Sequence, residues 1–238
     1  MILSLLGLSL AGALPVPADV VPHRDEPPSS LLHAEVRPLG FSEDGKLGVL
    51  YIAPDEAVGC YQWSVSVLSL VTDKTVETLT WSEGSCAEIV DVASLWQHEL
   101  GNIEALLVKH GVQAQADLRL RPLPVVRGAD LLDARLVTGP LNPTGEPGVT
   151  SVPVTLLLRS SEQGEKSIAA LAVTSRDELP FSWGHEVLGY IPSPYEERVV
   201  VLVRELHRGW EGLPAVEQVH LVGASLDSGF KPGAGPQR

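Results

Sequence analysis

Short apolar segments separated by turn-forming residues constrain the fold of this chain more than any other feature. Each segment is rich in Val, Leu or aromatic residues and is bounded by Gly, Pro, Asp or Asn, which is typical of β-strands. The segments are 46–53, 61–72, 75–82, 152–160, 166–174, 185–191, 198–206 and 216–225. With 22 Gly and 19 Pro in 238 residues, turns recur too often for a helical bundle. Tight connections at 72–74 and 162–164 predict antiparallel neighbours.

One amphipathic segment predicts a long helix over about 86–110. Ser85-x-x-Glu88 forms a capping box, and Gly111 follows the last turn. Apolar residues recur at helical spacing between them, at Ile89, Val92, Trp96, Leu100, Ile103 and Leu107. The expected fold class is therefore α+β, with mainly antiparallel sheets packed against one helix.

An internal similarity predicts a duplication. Leu39-Gly40-Phe41 aligns with Leu188-Gly189-Tyr190, and a strand, a long loop and another strand follow in both places. Two related, blade-like meanders over about 36–72 and 186–224 would explain the match, although two unrelated meanders could also agree by chance. Both copies fall within one β-rich domain over 32–226.

The amino terminus resembles a signal peptide. Residues 1–18 carry no charged side chain, and their apolar run is too short to cross a bilayer. Cleavage would leave a mature start near Asp19, and the alternative is an apolar tail on a cytosolic protein. Pro-rich residues 19–31 predict a flexible leader, and 227–238 predict a disordered tail. We expect no transmembrane segment after signal removal.

The two cysteines, Cys60 and Cys86, are consistent with export. Their number is even and no metal-ligand spacing surrounds them, which favours one disulfide. Two buried free thiols are an alternative. Redox chemistry is another, since Cys86 would begin the predicted helix, where the helix dipole lowers a thiol pKa.

Charge narrows the range of partners. Lys and Arg number 17 and Asp and Glu number 30, so the formal net charge is −13. Nucleic acid and anionic membranes need a basic surface, which this balance does not provide. The expected partners are a protein, a peptide or a glycan, and we expect a monomer without a cofactor.

Two short motifs carry a family resemblance. Gly40-Phe41-Ser42-x-Asp44-Gly45 opens an apolar strand, and Gly209-Trp210-Glu211-Gly212 lies in the loop of the final hairpin. With the hydrophobic leader and the central helix, these motifs resemble a group of uncharacterised bacterial predicted secreted proteins. The resemblance implies export and a β-rich fold, and it implies no activity. The segment from Pro54 to Cys60 departs from the group, which often has a Gly-rich loop there.

Common catalytic signatures are absent from the sequence. No G-x-S-x-G or P-loop occurs. His98-Glu99 and His185-Glu186 begin like the zinc motif H-E-x-x-H, but Asn102 and Gly189 stand where the second His is needed. An enzyme is therefore not favoured.

Two loops hold the candidate binding residues. If the duplication is real, loops 53–59 and 207–214 occupy corresponding positions and could share one rim. Their candidate residues are Asp55, Glu56, His207, Arg208, Trp210 and Glu211. Carboxylates with a His could bind a divalent cation, and the Trp could contact a sugar or a peptide. Alternatively, the Trp packs on the sheet and the acids are merely solvated.

These observations favour an exported, non-enzymatic binding protein of the bacterial envelope or exterior. The alternative is a metal-dependent or hydrolytic enzyme that uses the two loops. A structural accessory with no small-molecule site is a third interpretation.

Overall fold

A computed structural model describes residues 14–24, 31–54, 61–82, 91–115, 118–176, 179–180, 182–208 and 215–232. The first half of the chain contributes β1 (Leu31–Leu32), β2 (Glu35–Phe41), β3 (Lys46–Pro54), β4 (Tyr61–Ser69), β5 (Lys74–Ser82) and α1 (Val92–Lys109). Next come β6 (Gln113–Ala114), β7 (Val125–Arg127), β8 (Asp130–Thr138), β9 (Asn142–Pro143), β10 (Val149–Ser160) and β11 (Gly164–Arg176). The last strands are β12 (Leu179–Pro180), β13 (Ser182–Pro192), β14 (Arg198–His207) and β15 (Ala215–Ser225).

The strands form three sheets. Sheet 1 has the order β5-β4-β3-β2-β6, and sheet 2 has the order β12-β11-β10-β8-β7, with β9 paired to β10. Sheet 3 has the order β1-β15-β14-β13. Neighbouring strands are antiparallel except β1, which pairs in parallel with β15. The α+β, β-rich fold class expected from the sequence is confirmed, as are the hairpins β4–β5 and β10–β11.

Sheet 3 lies between the other two sheets. On β14, Val199, Val201 and Val203 share an apolar cluster with residues of β8 and β10 in sheet 2. Val200 and Leu202 point to the opposite face, where they pack with residues of β2 and β3 in sheet 1. Because both faces are covered, β14 is apolar at successive positions rather than at alternate ones.

Helix α1 covers the outer face of sheet 1. Trp96, Ile103, Leu106 and Leu107 are its buried residues, and they pack with apolar side chains of β3 and β4. Asp91 precedes the helix as its N-cap residue. Because the backbone of Asp91 is extended, the helix begins at Val92 and not near residue 86 as the sequence predicted. The predicted capping residues Ser85 and Glu88 themselves lie outside the described residues. The layers therefore run sheet 2, sheet 3, sheet 1 and helix.

The described parts of both terminal segments contact the sheets. Val20 N–H donates to Val36 O at 2.9 Å. The described part of the predicted leader, residues 19–24, therefore begins beside β2. Near the other end, Lys231 exchanges backbone hydrogen bonds with Glu165 of β11. Within the described ranges, no helix has both the length and the hydropathy needed to cross a membrane.

Candidate functional site

Few of the residues singled out from the sequence fall within the described ranges. His207 ends β14 and Arg208 follows it, exposed to solvent. The other four loop residues, Asp55, Glu56, Trp210 and Glu211, lie outside the described residues. The two cysteines, Cys60 and Cys86, lie outside them as well.

His207 belongs to a group of polar side chains on one face of sheet 3. Glu205 lies two residues before it and therefore points to the same face. His185 of β13 is directly opposite Glu205 in the register. His220 of β15 is opposite Val203, which places it diagonally across from Glu205 on that same face. We call His185, Glu205, His207 and His220 the His–Glu cluster.

All three imidazoles of the His–Glu cluster face one carboxylate oxygen. Glu205 Oε2 lies 2.7 Å from His220 Nε2, 3.3 Å from His185 Nε2 and 3.4 Å from His207 Nε2. Of these three contacts between described residues, only the one between His220 Nε2 and Glu205 Oε2 has the geometry of a hydrogen bond. The rings of His185 and His220 lie 6.0 Å apart between centroids.

Burying the polar atoms of this cluster costs free energy unless they find a hydrogen-bond partner or a ligand. The side chain of His185 is 1% exposed and that of Glu205 is 7% exposed. Among the described residues, neither ring nitrogen of His185 has a hydrogen-bond partner. Buried polar atoms are ordinarily satisfied, and His185 Nε2 has only its 3.3 Å ionic contact with Glu205, so the ring has the capacity to bind a ligand.

The charge state of Glu205 suits a cation. Burial alone would raise the pKa of Glu205, but the facing imidazoles of His185, His207 and His220 and the nearby Ser182 hydroxyl outweigh it. They hold the pKa of the carboxyl far below its ordinary value, so the carboxylate is ionised.

The spacing of the cluster suits a transition metal. The ligand atoms of His185, Glu205 and His220 all lie within 4.8 Å of one another. With bonds of about 2.0 to 2.1 Å, neighbouring ligand atoms around a tetrahedral zinc ion stand about 3.3 Å apart. The distances from Glu205 to His185 and His207 already match that value.

A second polar group lies on the other face of β14. Arg204 Nε donates to Glu217 Oε1 at 2.8 Å, and His33 Nδ1 lies 2.9 Å from Glu217 Oε2. Arg204 also contacts Glu186, which pairs with Arg24. His23, His33 and Glu217 are close enough to hold an ion, but the Arg204 guanidinium already neutralises Glu217. This group is an ion-pair network and is less suited to a cation than the His–Glu cluster.

Sequence reasoning found His207 and missed its three partners. Glu205 and His207 at positions i and i+2 of an apolar strand were a usable signal, because both must occupy one face. His185 and His220 join them only through strand register, which the linear sequence does not display.

Comparison with protein-family models, with curated proteins and with solved structures gave no match for this chain.

Proposed function

We propose that this chain is an exported, non-enzymatic binding protein that takes one divalent transition metal at the His–Glu cluster. The observation that carries the proposal is the convergence of three imidazoles on one buried carboxylate. His185 adds to it, since its Nε2 makes only a long 3.3 Å contact with Glu205 Oε2 among the described residues, and a metal between the two atoms would bind both.

Ligand chemistry narrows the choice of metal. Imidazole nitrogen suits zinc, copper and nickel, whereas calcium and magnesium prefer oxygen ligands. Two imidazole nitrogens and one carboxylate oxygen, with His207 nearby, therefore favour zinc or copper. The formal net charge of −13 would also raise the local concentration of cations around the protein.

Export is part of the same proposal. Its support is the uncharged segment 1–18, the even number of cysteines and the resemblance to secreted bacterial proteins. In this account the mature protein begins near Asp19, carries a disulfide between Cys60 and Cys86, and is periplasmic or secreted. Loops 53–59 and 207–214 are the proposed contact surface for a protein, peptide or glycan partner.

An ancestral duplication accounts for the two meanders. Gly40 and Gly189 both sit at register irregularities, in β2 and β13 respectively. Each also meets the backbone of a crossing segment, with Gln113 O against Gly40 and Arg121 O against Gly189. These shared details go beyond the general likeness of any two antiparallel meanders.

Metal titration of the full chain tests the proposal. Calorimetry with zinc chloride should show one ion bound per chain, and cobalt should give the visible absorption of a tetrahedral site with nitrogen ligands. His220→Ala should weaken zinc binding at least tenfold, because it removes a ligand that is 32% exposed and so spares the core.

His98→Ala is the matched control. His98 lies on α1 and is 84% exposed, so its loss should leave both zinc affinity and the cobalt spectrum unchanged. Equal losses in the two variants, or no stoichiometric binding by the folded wild-type chain, would contradict the proposal. Circular dichroism of each variant checks that it is folded.

The second candidate function is a metal-dependent hydrolase. The specific observation is that His185, Glu205 and His220 alone make a two-His, one-carboxylate set, which in hydrolytic zinc enzymes leaves one position for water. His207 decides between the two readings, since a fourth protein ligand closes that position. Zinc-dependent hydrolysis of a p-nitrophenyl ester, lost in His220→Ala, would favour the enzyme.

A further inference from the structure

A groove lies on the helix side of sheet 1, between the sheet and a segment of this chain. One wall is formed by Trp96 of α1 together with Pro38 and Leu39 of β2, and Leu118 lies further along it. The other side is residues 14–18, Leu-Pro-Val-Pro-Ala. A volume of about 440 Å³ stays open between them, so the segment does not fill the groove.

Side chains of the groove donate to carbonyl groups of the segment. Trp96 Nε1 donates to Leu14 O at 2.8 Å, and Arg37 Nη1 donates to Pro17 O at 2.6 Å. A proline-containing segment presents carbonyls with few backbone donors of its own, and it is extended before it binds. Aromatic grooves that donate to such carbonyls are a recurring way to recognise proline-rich peptides.

The contacts between this segment and the sheet differ before and after Asp19. From that residue on, the backbone itself is bound, since Asp19 Oδ1 accepts from Val21 N–H at 3.1 Å and from Val36 N–H at 2.9 Å. Val21 is buried. In the described contacts, residues 14–18 are held by these two side-chain donors and by the packing of Leu14 against the apolar cluster, without a backbone-to-backbone hydrogen bond to the sheet.

We propose that this groove is a binding site for an extended, proline-containing segment of a partner protein. Residues 14–18 line it as an intramolecular stand-in, and the cleavage near Asp19 that belongs to the proposed function would remove them and free the site for a partner. The site is separate from the His–Glu cluster and does not depend on a metal. It goes beyond the proposed function because it names a second ligand, of different chemistry, on a different layer.

Fluorescence anisotropy with a labelled Leu-Pro-Val-Pro-Ala peptide tests the site in the full chain. The wild-type chain should bind the probe weakly, because its own tethered segment competes at an effective concentration near millimolar. Leu14→Asp places a charge against the apolar cluster that Leu14 contacts, and should tighten probe binding about tenfold. Pro17→Gly is a second variant that loosens the segment by restoring backbone freedom.

Trp96→Phe in the Leu14→Asp background separates the groove from other surfaces. It keeps an aromatic ring but removes the donor, and should weaken probe binding about three- to tenfold. Trp81→Phe, whose side chain does not line the groove, should have no effect. A probe with alanine in place of both prolines should bind at least fivefold more weakly. Equal binding of the two probes, or unchanged binding after Trp96→Phe, would overturn the proposal.

Discussion

Asp130 shows how much one carboxylate can organise at the residue scale. It is buried at the start of β8 and accepts hydrogen bonds from the turn between β10 and β11. Ser160 Oγ donates to it at 2.7 and 2.8 Å, Ser161 Oγ at 2.9 Å and Glu162 N–H at 3.2 Å. Burial alone would raise the pKa of Asp130, but these hydrogen bonds outweigh it and lower the pKa.

This lowered pKa predicts a pH dependence of stability. A carboxyl whose pKa is lower in the folded state stabilises the fold above its unfolded pKa of about 3.9, and this contribution is lost as the pH falls through the folded pKa. Asp130→Asn should therefore melt at a lower temperature than the wild-type chain at pH 7. The difference should narrow below about pH 4.

Thermal unfolding followed by circular dichroism from pH 7 to pH 3 measures the effect. Asp133→Asn is the control, because Asp133 is exposed on the same strand and should change the melting temperature little at any pH. A constant difference between Asp130→Asn and wild type down to pH 3 would contradict the assignment.

The residues of the His–Glu cluster differ in how well the sequence alone could identify them. His207 could be named from the sequence because it adjoins a polar loop, whereas Glu205 and His220 lie within strands, away from the loops that hold the candidate residues. His185 was set aside because its zinc motif is incomplete. The residues of a site assembled across three strands follow no fixed spacing in the sequence. The site could therefore not be predicted without knowing how the strands pair.

At the scale of elements, the strand predictions were close. The predicted segment 166–174 is β11 (Gly164–Arg176), and 198–206 is β14 (Arg198–His207). Alternation and turn residues determine such strands locally. β2 was recognised only at its end, since Pro38 and Gly40 are unfavourable in a regular strand and the structure accommodates them with a register shift.

The irregularity in β13 predicts the result of a single substitution. Gly189 has a φ of +148° and lies where β13 shifts register against β14. A Cβ atom there would stand 2.4 Å from Arg121 O, which pairs with β13 through Tyr190. Gly189→Ala should lower the free energy of unfolding by about 2 kcal/mol or more.

Gly101→Ala is the matched comparison. Gly101 lies within α1, and no atom stands within 4 Å of the position a Cβ would take. This substitution should raise the free energy of unfolding by up to about 1 kcal/mol, because Ala is the better helix former. Urea unfolding measures both variants, and a similar loss of stability in the two would refute the steric account.

At the scale of the whole molecule, sheet 3 joins the layers. Its β14 contributes side chains to one apolar cluster with sheet 2 and to another with sheet 1. Sheet 1 also has an apolar cluster on each face, but its outer cluster is formed with helix α1 and not with another sheet. The order of the layers was not predictable from the sequence, because continuous apolar strands show that two faces are covered but not by what.

This central position predicts a gradient of hydrogen exchange. Amides of β14 between Val199 and Val203 should exchange most slowly, since they can open only when the layers separate. Amides of β5, which lies at an edge of sheet 1, should exchange faster. Native-state exchange followed by mass spectrometry measures both, and equal protection in β14 and β5 would contradict this gradient, because it would show that both strands open in one cooperative unit.

The two covered faces of β14 also bear on how this chain can change through evolution. A substitution at Val200 or Val201 must pack against side chains from a distant part of the sequence. It would therefore be tolerated only together with a matching substitution among those side chains. A substitution at an exposed position of β5 needs no matching change in another layer. Substitutions should therefore accumulate first at the rim of the molecule, while the middle strand changes last and in step with its two neighbouring layers.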